Sequence, residues 1–219
     1  MQKYLPILMK TPLFRGIAKE DLLTMLGCLG ARVECFDKKY TVFAEGSPAR
    51  YIGILLSGEV QVMRCDYYGN RSLIGSVAPA ELFAEAFACA EIETMPVSVI
   101  ATEPSEVMLI DSAHILHTCE RNCAFHRQMI FNLMKNLALK NIQVHRRAEI
   151  TSKRTTREKL LSYLDMEASR AGKSAFEIPF DRQELADYLE VDRSGLSAEI
   201  SKLRAEGVLE SRKNWFKLL

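Results

Sequence analysis

Residues 31 to about 111 alternate hydrophobic and polar positions in short runs. Alternation with a period of two is typical of strands that bury one face. Turn formers separate the runs, and hairpin signals occur at residues 56–59, 67–70 and 102–105. Many short strands at this spacing predict a closed or rolled antiparallel sheet, which we expect to be a jelly-roll-like β-roll. A short helix over residues 19–29 is predicted to precede it.

The second stretch, residues 123–147, repeats hydrophobic residues every three or four positions and contains no Gly or Pro. This pattern predicts one helix about 37 Å long. A second hydrophobic set, Phe131, Ala138 and Ile142, favours packing against the sheet on one side and against a partner on the other. A lone helix across one large core remains the alternative. Residues 148–152 are polar and are predicted to form a hinge.

The third stretch contains two helices joined by a short turn. It begins with another helix, which Gly172 ends, and the short strand FEIPF follows. Asp181 can cap the next helix together with Glu184, and a three-residue turn at 190–192 leads to a helix that ends at Gly207. The C-terminal residues have hairpin character. A helix-turn-helix unit followed by a hairpin predicts a winged DNA-binding domain.

The second helix of this unit exposes small and polar side chains. Ser194, Ala198 and Ser201 lie opposite its hydrophobic residues, and Arg193 lies at its N-terminal end. A helix that enters the major groove needs small central side chains, with donors near its N-terminus to reach bases and phosphates. An ordinary exposed helix and a helix-turn-helix that binds protein remain alternatives. The predicted DNA contacts, including the start of the first helix and the hairpin tip, are Arg182, Gln183, Asp192, Arg193, Ser194, Ser197, Ser201, Lys202, Lys213 and Asn214.

The composition indicates a soluble globular protein, because 48% of the 219 residues are hydrophobic and 26% are charged. No apolar run approaches the roughly 20 residues that a bilayer span needs, and the N-terminus has no export signal. We therefore expect a cytoplasmic protein without membrane contact, whose six cysteines are free thiols. Cys35, Cys65 and Cys89 are predicted to be core residues. The net charge of +1 neither favours nor excludes DNA binding.

The segment RQELADYLEVDRSGLSAEISKLRAEGVL resembles the DNA-binding signature of the cyclic-AMP receptor protein and FNR family of bacterial transcription regulators. The segments TPLFRGI and AEGSPARYIGILLSGEVQV resemble the β-roll of the same family, so the resemblance covers essentially the whole chain. It implies an α+β fold with a sensor β-roll in residues 1–122, a dimerisation helix and hinge in 123–152, and a winged helix-turn-helix domain in 153–219.

The resemblance also implies a function. We expect a homodimer that binds a pseudo-palindromic site on double-stranded DNA under the control of a signal sensed in the β-roll, with RNA polymerase as a further partner of an activator. Ala198 stands where several relatives have an Arg that reads guanine, and Glu190 stands where the turn often has Gly. No catalytic motif accompanies these features, so we do not expect an enzyme.

The family's cyclic-nucleotide pocket uses a Gly-Glu-Leu turn and, after a short helix, an Arg-Ser pair that holds the phosphate and ribose. The corresponding segments here are Ala84-Glu85-Ala86 and Met95-Pro96-Val97, so the Glu is present and the Arg is not. No Lys or Arg lies between Arg71 and Arg121, and a buried phosphate needs a compensating cation. We predict that cyclic AMP is not the ligand and leave the cofactor open. The predicted pocket residues are Glu85, Ala86, Met95, Pro96 and Val97.

A metal or redox sensor is the alternative interpretation. Cys119, Cys123 and His126 would share one face of a continuous helix, and thiolates with imidazole bind zinc, iron or haem, while paired thiols can oxidise. The same side chains could instead fill the junction between the sheet and the long helix. An FNR-type iron–sulfur cluster is not expected, because only Cys28 lies within or before the first helix.

Overall fold

The computed structural model describes residues 1–65, 71–116 and 124–219. The chain forms two compact units, Met1–Ala138 and Leu139–Leu219, and the boundary falls inside one long helix. The helices are α1 (Leu5–Leu8), α2 (Lys19–Cys28), α3 (Glu85–Cys89), α4 (Ser112–Leu116), α5 (Ala124–Thr151), α6 (Thr156–Ala171), α7 (Arg182–Leu189) and α8 (Arg193–Ala205). The strands are β1 (Arg32–Phe36), β2 (Thr41–Phe43), β3 (Tyr51–Ser57), β4 (Val60–Cys65), β5 (Arg71–Val77), β6 (Leu82–Phe83), β7 (Ser98–Ala101), β8 (Ser105–Asp111), β9 (Ala175–Glu177), β10 (Leu209–Arg212) and β11 (Trp215–Leu218).

The first unit contains two antiparallel four-stranded sheets, which confirms the predicted β-roll. Their strand orders are β1-β8-β3-β6 and β2-β7-β4-β5. The hairpin predicted at residues 56–59 is wrong, because this turn joins β3 to β4 and the two strands belong to different sheets. Strand β4 pairs with β5 from Val60 with Val77 to Cys65 with Arg71, with a register shift between Val62 and Met63. Residues 67–70, predicted as a hairpin turn, lie outside the described residues.

The hairpin predicted at residues 102–105 is wrong. The strands on either side, β7 and β8, belong to different sheets, so this turn crosses between the sheets. Its side chains contact the 57–59 turn: Thr102 Oγ1 donates to Glu59 Oε2 at 2.7 Å, and Ser105 Oγ donates to the Glu59 carbonyl at 3.2 Å. Gly58 has a φ of 86°, and a Cβ there would lie 2.6 Å from the Pro104 carbonyl oxygen. The turn is therefore determined by tertiary packing, which local turn chemistry does not report.

Two of the cysteines predicted as core residues are exposed. Cys35 lies on β1, an edge strand of its sheet, and Cys65 is the last residue of β4. A strand turns alternate side chains to opposite faces, so an apolar neighbour does not imply that a cysteine is buried. Cys89 is partly buried.

Helix α5 is longer than predicted, because it extends from Arg147 through Thr151 and includes most of the predicted hinge. Ile150 explains the extension, since it is buried in the core of the second unit. Within the first unit, α5 buries Met129, Asn132 and Leu133. Asn132 Nδ2 donates to the carbonyls of Leu13 and Arg15 at 2.9 and 2.8 Å, so a polar residue fastens the N-terminal segment to the helix.

The second unit packs α6, α7 and α8 against a three-stranded sheet of order β10-β11-β9. Helix α6 begins with a capping box between Thr155 and Glu158 and ends at Gly172, whose φ is 65°. Leu185, Ala186 and Leu189 of α7 are buried as predicted. This arrangement confirms the predicted winged helix-turn-helix. None of the helices in the described part of the chain is both long enough and apolar enough to span a membrane.

Candidate nucleic-acid interface

The helix-turn-helix begins with a well-capped first helix. Asp181 Oδ1 accepts hydrogen bonds from the backbone N–H groups of Gln183 and Glu184 at 2.7 and 2.8 Å, and Glu184 Oε2 accepts one from the Asp181 N–H at 2.7 Å. At its C-terminus, Glu190 has φ 54° and ψ 54°, the left-handed conformation that favours Gly. Glu190 therefore adopts a backbone conformation for which Gly is the usual residue.

Two cations contact the C-terminal end of α7. Lys159 Nζ donates to the carbonyls of Leu189 and Glu190 at 3.2 and 3.3 Å. The Arg147 guanidinium lies 3.4 Å from the Asp187 carbonyl and 5.3 Å from the centre of the Tyr188 ring. Positive charge near a helix C-terminus offsets the partial negative charge of the unpaired carbonyls. The position of α7 is therefore set by the helices that precede it, α5 and α6.

Helix α8 has one buried face and one exposed face. Leu196, Ile200 and Leu203 are buried, whereas the residues predicted to face DNA are all exposed: Arg193, Ser194, Ser197, Ala198, Ser201 and Lys202. A helix-turn-helix that used this face to pack within its own chain would bury Arg193, Ser194 and Ser197. All three residues are exposed. The face is available to an external partner.

An N-cap stabilises the first turn of α8. Asp192 accepts hydrogen bonds from the Gly195 N–H at 2.9 Å and from the Ser194 hydroxyl, and these bonds hold the pKa of Asp192 below its usual range. Further along, the Ser197 hydroxyl donates to the Arg193 carbonyl at 2.9 Å and the Ser201 hydroxyl donates to the Ser197 carbonyl at 3.0 Å. Each serine oxygen keeps its lone pairs, so both serines present acceptors on the exposed face.

Helix α8 is also bound to α6 by an ion-pair group. Arg157 lies 2.6 Å from Glu206 and 3.5 Å from Glu199, with hydrogen bonding to Glu206 raising the pKa of Arg157. The same bond holds the pKa of Glu206 below its usual range. Glu199 of α8 and Glu206, the residue that follows the helix, are paired in this way and therefore add little repulsion toward an anionic partner.

The C-terminal hairpin forms the predicted wing. Lys213 has φ 53° at its tip, and the Arg182 guanidinium donates to the Lys213 carbonyl at 3.2 Å while lying 5.6 Å from the Phe216 ring centre. Asn214 Nδ2 donates to the Ile178 carbonyl at 3.3 Å. Burial lowers the pKa of Arg182. Two of the predicted DNA contacts, Arg182 and Asn214, thus connect the wing to the rest of the unit through their own side chains.

An open groove of about 510 Å³ separates α8 from the wing. Its lining residues are Arg182, Ser197, Ile200, Ser201, Arg204, Ser211, Arg212 and Lys213. Arg204 was not among the predicted DNA contacts, whereas Arg212 belongs to the hairpin tip that was predicted to touch phosphate. The signal for Arg204 was available, because it lies three residues after Ser201 and seven after Ser197 and so shares their helix face.

The predicted effector residues of the β-roll do not form one open polar site. Glu85, the first residue of α3, is only 2% exposed, and Asn136 Nδ2 of α5 donates to its Oε1 at 3.3 Å. Cys89 follows one helical turn later, and burial, with Glu85 as a second cause, raises its pKa to about 11. The preceding residue, Ala84, has a φ of 61°, which accounts for the Gly that the family has there.

Met95 and Val97 lie in an apolar core. Met95 is 2% exposed and, with Val97, belongs to a cluster that includes Val99, Phe83 and Leu109. Pro96 and Ala86 are exposed. Where the family's pocket has a cation for a phosphate, this chain has buried hydrocarbon, which solvates an anion poorly.

Two members of the predicted metal group, Cys119 and Cys123, lie outside the described residues. The third, His126, is buried, and its Nε2–H donates to the Ile115 carbonyl at 2.8 Å. Within residues 1–65, 71–116 and 124–219, no group of three His, Cys, Asp or Glu side chains could hold a metal ion. The metal interpretation therefore stays a prediction.

Two protein-family models match the chain. Residues 33–122 match the cyclic nucleotide-binding domain, and residues 158–219 match the Crp-like helix-turn-helix domain. Together the two matches cover more than half of the 219 residues. No curated protein matches the chain.

Several solved structures have the same fold. The catabolite activator protein of Thermus thermophilus is 21% identical, with a TM-score of 0.50, over 95% of this chain and 94% of its own. DNR from Pseudomonas aeruginosa is 21% identical, with a TM-score of 0.53, over 100% of this chain and 95% of its own. CLP from Xanthomonas campestris, a c-di-GMP-responsive global regulator, is 17% identical, with a TM-score of 0.58, over 90% of this chain and 98% of its own. At these identities the likeness establishes the fold.

Proposed function

The chain belongs to the cyclic-AMP receptor protein and FNR family of transcription regulators, and on this premise we propose that it is a homodimeric DNA-binding regulator controlled by a signal other than cyclic AMP. Its fold is that of DNA-binding regulators. The observation that carries the proposal is the exposed face of α8, which presents Arg193, two serine hydroxyls and an Ala methyl opposite a fully buried face.

On DNA, the N-terminal half of α8 would enter the major groove. Arg193 would donate to the O6 and N7 atoms of a guanine, and the Ala198 methyl would pack on a thymine methyl. Ser194, Ser197 and Ser201 would bond bases or phosphates. Among the remaining predicted contacts, Lys202 and Lys213 would bind phosphates. Gln183 Nε2 already donates to Asp187 Oδ1 at 2.9 Å, so Gln183 would bind a phosphate through its second amide N–H. Asp192, Arg182 and Asn214 would shape the interface, since their side chains already bond within the unit.

The proposed dimer rests on the outer face of α5. Phe131, Met134 and Ile142 are among its exposed hydrophobic residues, and their spacing of three and eight positions follows one side of a helix. Exposed hydrophobic side chains in such a row favour burial against a second copy of the same helix. A two-fold dimer would place its recognition helices in successive major grooves, about 10 base pairs apart, on a pseudo-palindromic site.

The proposed signal differs from a cyclic nucleotide because Met95 and Val97 replace the polar phosphate site with core. A neutral ligand in the β-roll is one source of the signal. The Cys119, Cys123 and His126 group is the other, as a metal, haem or thiol sensor. Metal analysis and the absorption spectrum of anaerobically purified protein separate the two, since a bound metal or haem lost on Cys119→Ser would identify the second. RNA polymerase would be the further partner of an activator.

The test is selection of DNA from a random duplex library by the full-length protein. We expect an enriched inverted repeat with half-site centres about 10 base pairs apart. Ile142→Lys should yield a monomer in sedimentation that loses this two-half-site preference, because it places a charge in the dimer contact. Ile74→Lys is the matched control, since Ile74 on β5 is 50% exposed and Ile142 is 47% exposed. An enriched asymmetric site bound by a monomer would contradict the dimer, and DNA binding without salt dependence would contradict the regulator.

A further inference from the structure

Two side chains that commonly bind metals lie one helical turn apart near the C-terminal end of α5. His145 and Glu149 are both exposed, and neither side chain has an ion pair or hydrogen bond in the described part of the chain. We infer that, in the proposed dimer, these two residues and their copies in the second chain bind a zinc-type divalent cation at the dimer axis. The inference rests on the proposed function, because one chain supplies only half of the ligands.

The two ligands continue the hydrophobic row of α5. Phe131, Ala138 and His145 follow one another at intervals of seven residues, the period with which one helix contacts another in a two-stranded coiled coil. Ile142 and Glu149 are also seven residues apart, and each follows a member of this row by four residues, so they flank the same side of the helix. The side of α5 that the proposed dimer buries therefore changes from apolar to polar toward its C-terminal end.

The two arginines between His145 and Glu149 do not pair with them among the described residues. Arg147 lies 3.7 Å from the Glu190 carboxylate, and Arg146 is exposed without an ion pair in the described part of the chain. A dimer contact would take His145 and Glu149 out of water, and a buried imidazole or carboxylate without a partner is costly. Their partner must therefore come from the second chain or from a bound ion.

The spacing of four residues suits chelation of a metal. Side chains at positions i and i+4 of a helix have Cβ atoms about 5–6 Å apart, and the two His of a His-Glu-x-x-His helix bind one zinc with this spacing. Two-fold symmetry doubles the pair, so the dimer presents two imidazoles and two carboxylates, the number of ligands in a tetrahedral zinc site. Helix bundles build metal sites in this way, from side chains on facing helices. Among the described residues of one chain no group of three such ligands occurs, so the second copy is required.

The end of α5 that carries the ligands is held within its own unit. Ile150, the residue after Glu149, is 4% exposed in the core of the second unit. The Arg147 guanidinium donates to the Asp187 carbonyl of α7 at 3.4 Å. Because α5 is continuous from Ala124 to Thr151, His145 and Glu149 stay on one face of a fixed helix. An ion bound by two such helices would stabilise the dimer.

The first experiment measures zinc bound by the full-length protein in equilibrium dialysis against Zn²⁺. The six cysteines of the chain also bind zinc, so the result is the difference between the wild type and each variant. His145→Ala should bind about one ion fewer per dimer than the wild type. Glu149→Gln should bind the same ion about tenfold or more weakly, since even groups that only support a ligand are worth about 10–100-fold in metal affinity.

Two variants control for changes elsewhere. Gln143→Ala is matched to His145→Ala, because Gln143 is exposed on the same helix and is turned from His145 by about 200°. It should bind as much zinc as the wild type. Cys119→Ser should keep the ion that His145→Ala loses, which separates this site from the predicted Cys119, Cys123 and His126 group.

The second experiment measures the dimer by sedimentation. At free zinc about 100 times the Kd of the site, the dissociation constant of the wild-type dimer should fall about 100-fold, and a chelator should reverse the change. His145→Ala should show no such change. Ile142→Lys, the variant expected to be a monomer, should lose the same ion, because the site needs ligands from both chains.

Three results would overturn the inference and leave the proposed regulator standing. The first is equal zinc binding by the wild type and His145→Ala. The second is an ion that monomeric Ile142→Lys retains, since one chain would then supply the whole site. The third is a dimer that Glu149→Gln weakens equally with and without zinc, because His145 and Glu149 would then pair directly across the dimer. A wild-type protein that stays monomeric with and without zinc would refute the dimer of the proposed function, and the site with it.

Discussion

The DNA-binding unit, which is the second unit (Leu139–Leu219), and the sensor unit, which is the first (Met1–Ala138), have candidate functional positions that differ in exposure and in bonding. On α8, the positions opposite the core are exposed and polar, and several of their cations lack partners among the described residues. In the β-roll, Met95 and Val97 are buried in hydrocarbon, and the buried Glu85 carboxylate is bonded to Asn136 of the protein itself. The α8 face is exposed and can contact an external partner, whereas the side chains of the predicted pocket are buried or bonded to the protein's own residues.

Under the proposed function, this difference means that the fold is kept while the chemistry of the pocket is replaced. Residues 33–122 of the first unit match the cyclic nucleotide-binding domain, and residues 158–219 of the second unit match the Crp-like helix-turn-helix domain. A buried phosphate needs compensating positive charge or hydrogen-bond donors, whereas an apolar core needs only shape and volume. The sensor unit therefore keeps the architecture of a nucleotide-binding domain without the side chain that would make a cyclic nucleotide a good ligand.

Met95→Arg should have the largest effect, because it restores the family's cation inside what is now core. We expect the free energy of unfolding of the sensor unit to fall by about 3–5 kcal/mol, the cost of an uncompensated buried charge. Urea unfolding followed by circular dichroism measures it. Met95→Leu keeps the volume and should cost less than about 1.5 kcal/mol. If Met95→Arg is as stable as the wild type, position 95 faces an open pocket and the contrast between the two units disappears.

Arg193→Ala tests the exposed face of α8 in the DNA-binding unit. It should reduce the discrimination between the selected duplex and its single-base variants by about 1–3 kcal/mol at one base pair, because a bidentate contact to guanine is lost. Fluorescence anisotropy with both duplexes measures it. Lys202→Ala, which removes a proposed phosphate contact, should weaken all duplexes alike. Equal losses on every sequence for Arg193→Ala would remove that residue from base readout.

Glu190→Gly should stabilise the DNA-binding unit by about 0.5–1 kcal/mol, because Gly adopts the left-handed backbone of this turn without the penalty of a Cβ. Trp215 lies in this unit, so urea unfolding monitored by its fluorescence reports the change. Glu190→Gln keeps the backbone strain and removes only the exposed ion pair with Arg147 at 3.7 Å, so it should change stability by a few tenths of a kcal/mol. A destabilised Glu190→Gly would mean that the carboxylate, and not the backbone, determines this position.

Cyclic AMP should have no effect. A ligand that binds only the folded state stabilises it by RT ln(1 + L/Kd), where L is the free ligand concentration, so without binding the melting temperature should stay unchanged at micromolar cyclic AMP. DNA affinity should also be unaffected. A clear rise in melting temperature would show that backbone groups replace the missing arginine.

Patterns close in sequence predicted most of the DNA-binding unit. The Asp181 and Glu184 capping box, the end of α6 at Gly172 and the buried face of α8 depend on neighbours within a few residues, and all are present in the structure. Arg204 was missed, although its position on the α8 face follows from the same spacing. The sequence pattern does not show that it lines a groove opposite the wing. Helix periodicity shows which way a side chain points and not what lies opposite.

In the sensor unit, the sequence by itself determined that strands form and that the phosphate-binding cation is missing, because strand patterns and residue identities are local properties. Only the folded structure shows which sheet each strand joins and that the 56–59 and 102–105 turns both cross between the sheets. It also shows that Ile150, near the end of α5, is buried in the core of the second unit. Likewise, only the structure shows that Glu85 accepts a hydrogen bond from Asn136, 51 residues away. These outcomes depend on which distant surfaces pack together, and packing is a property of the folded chain as a whole.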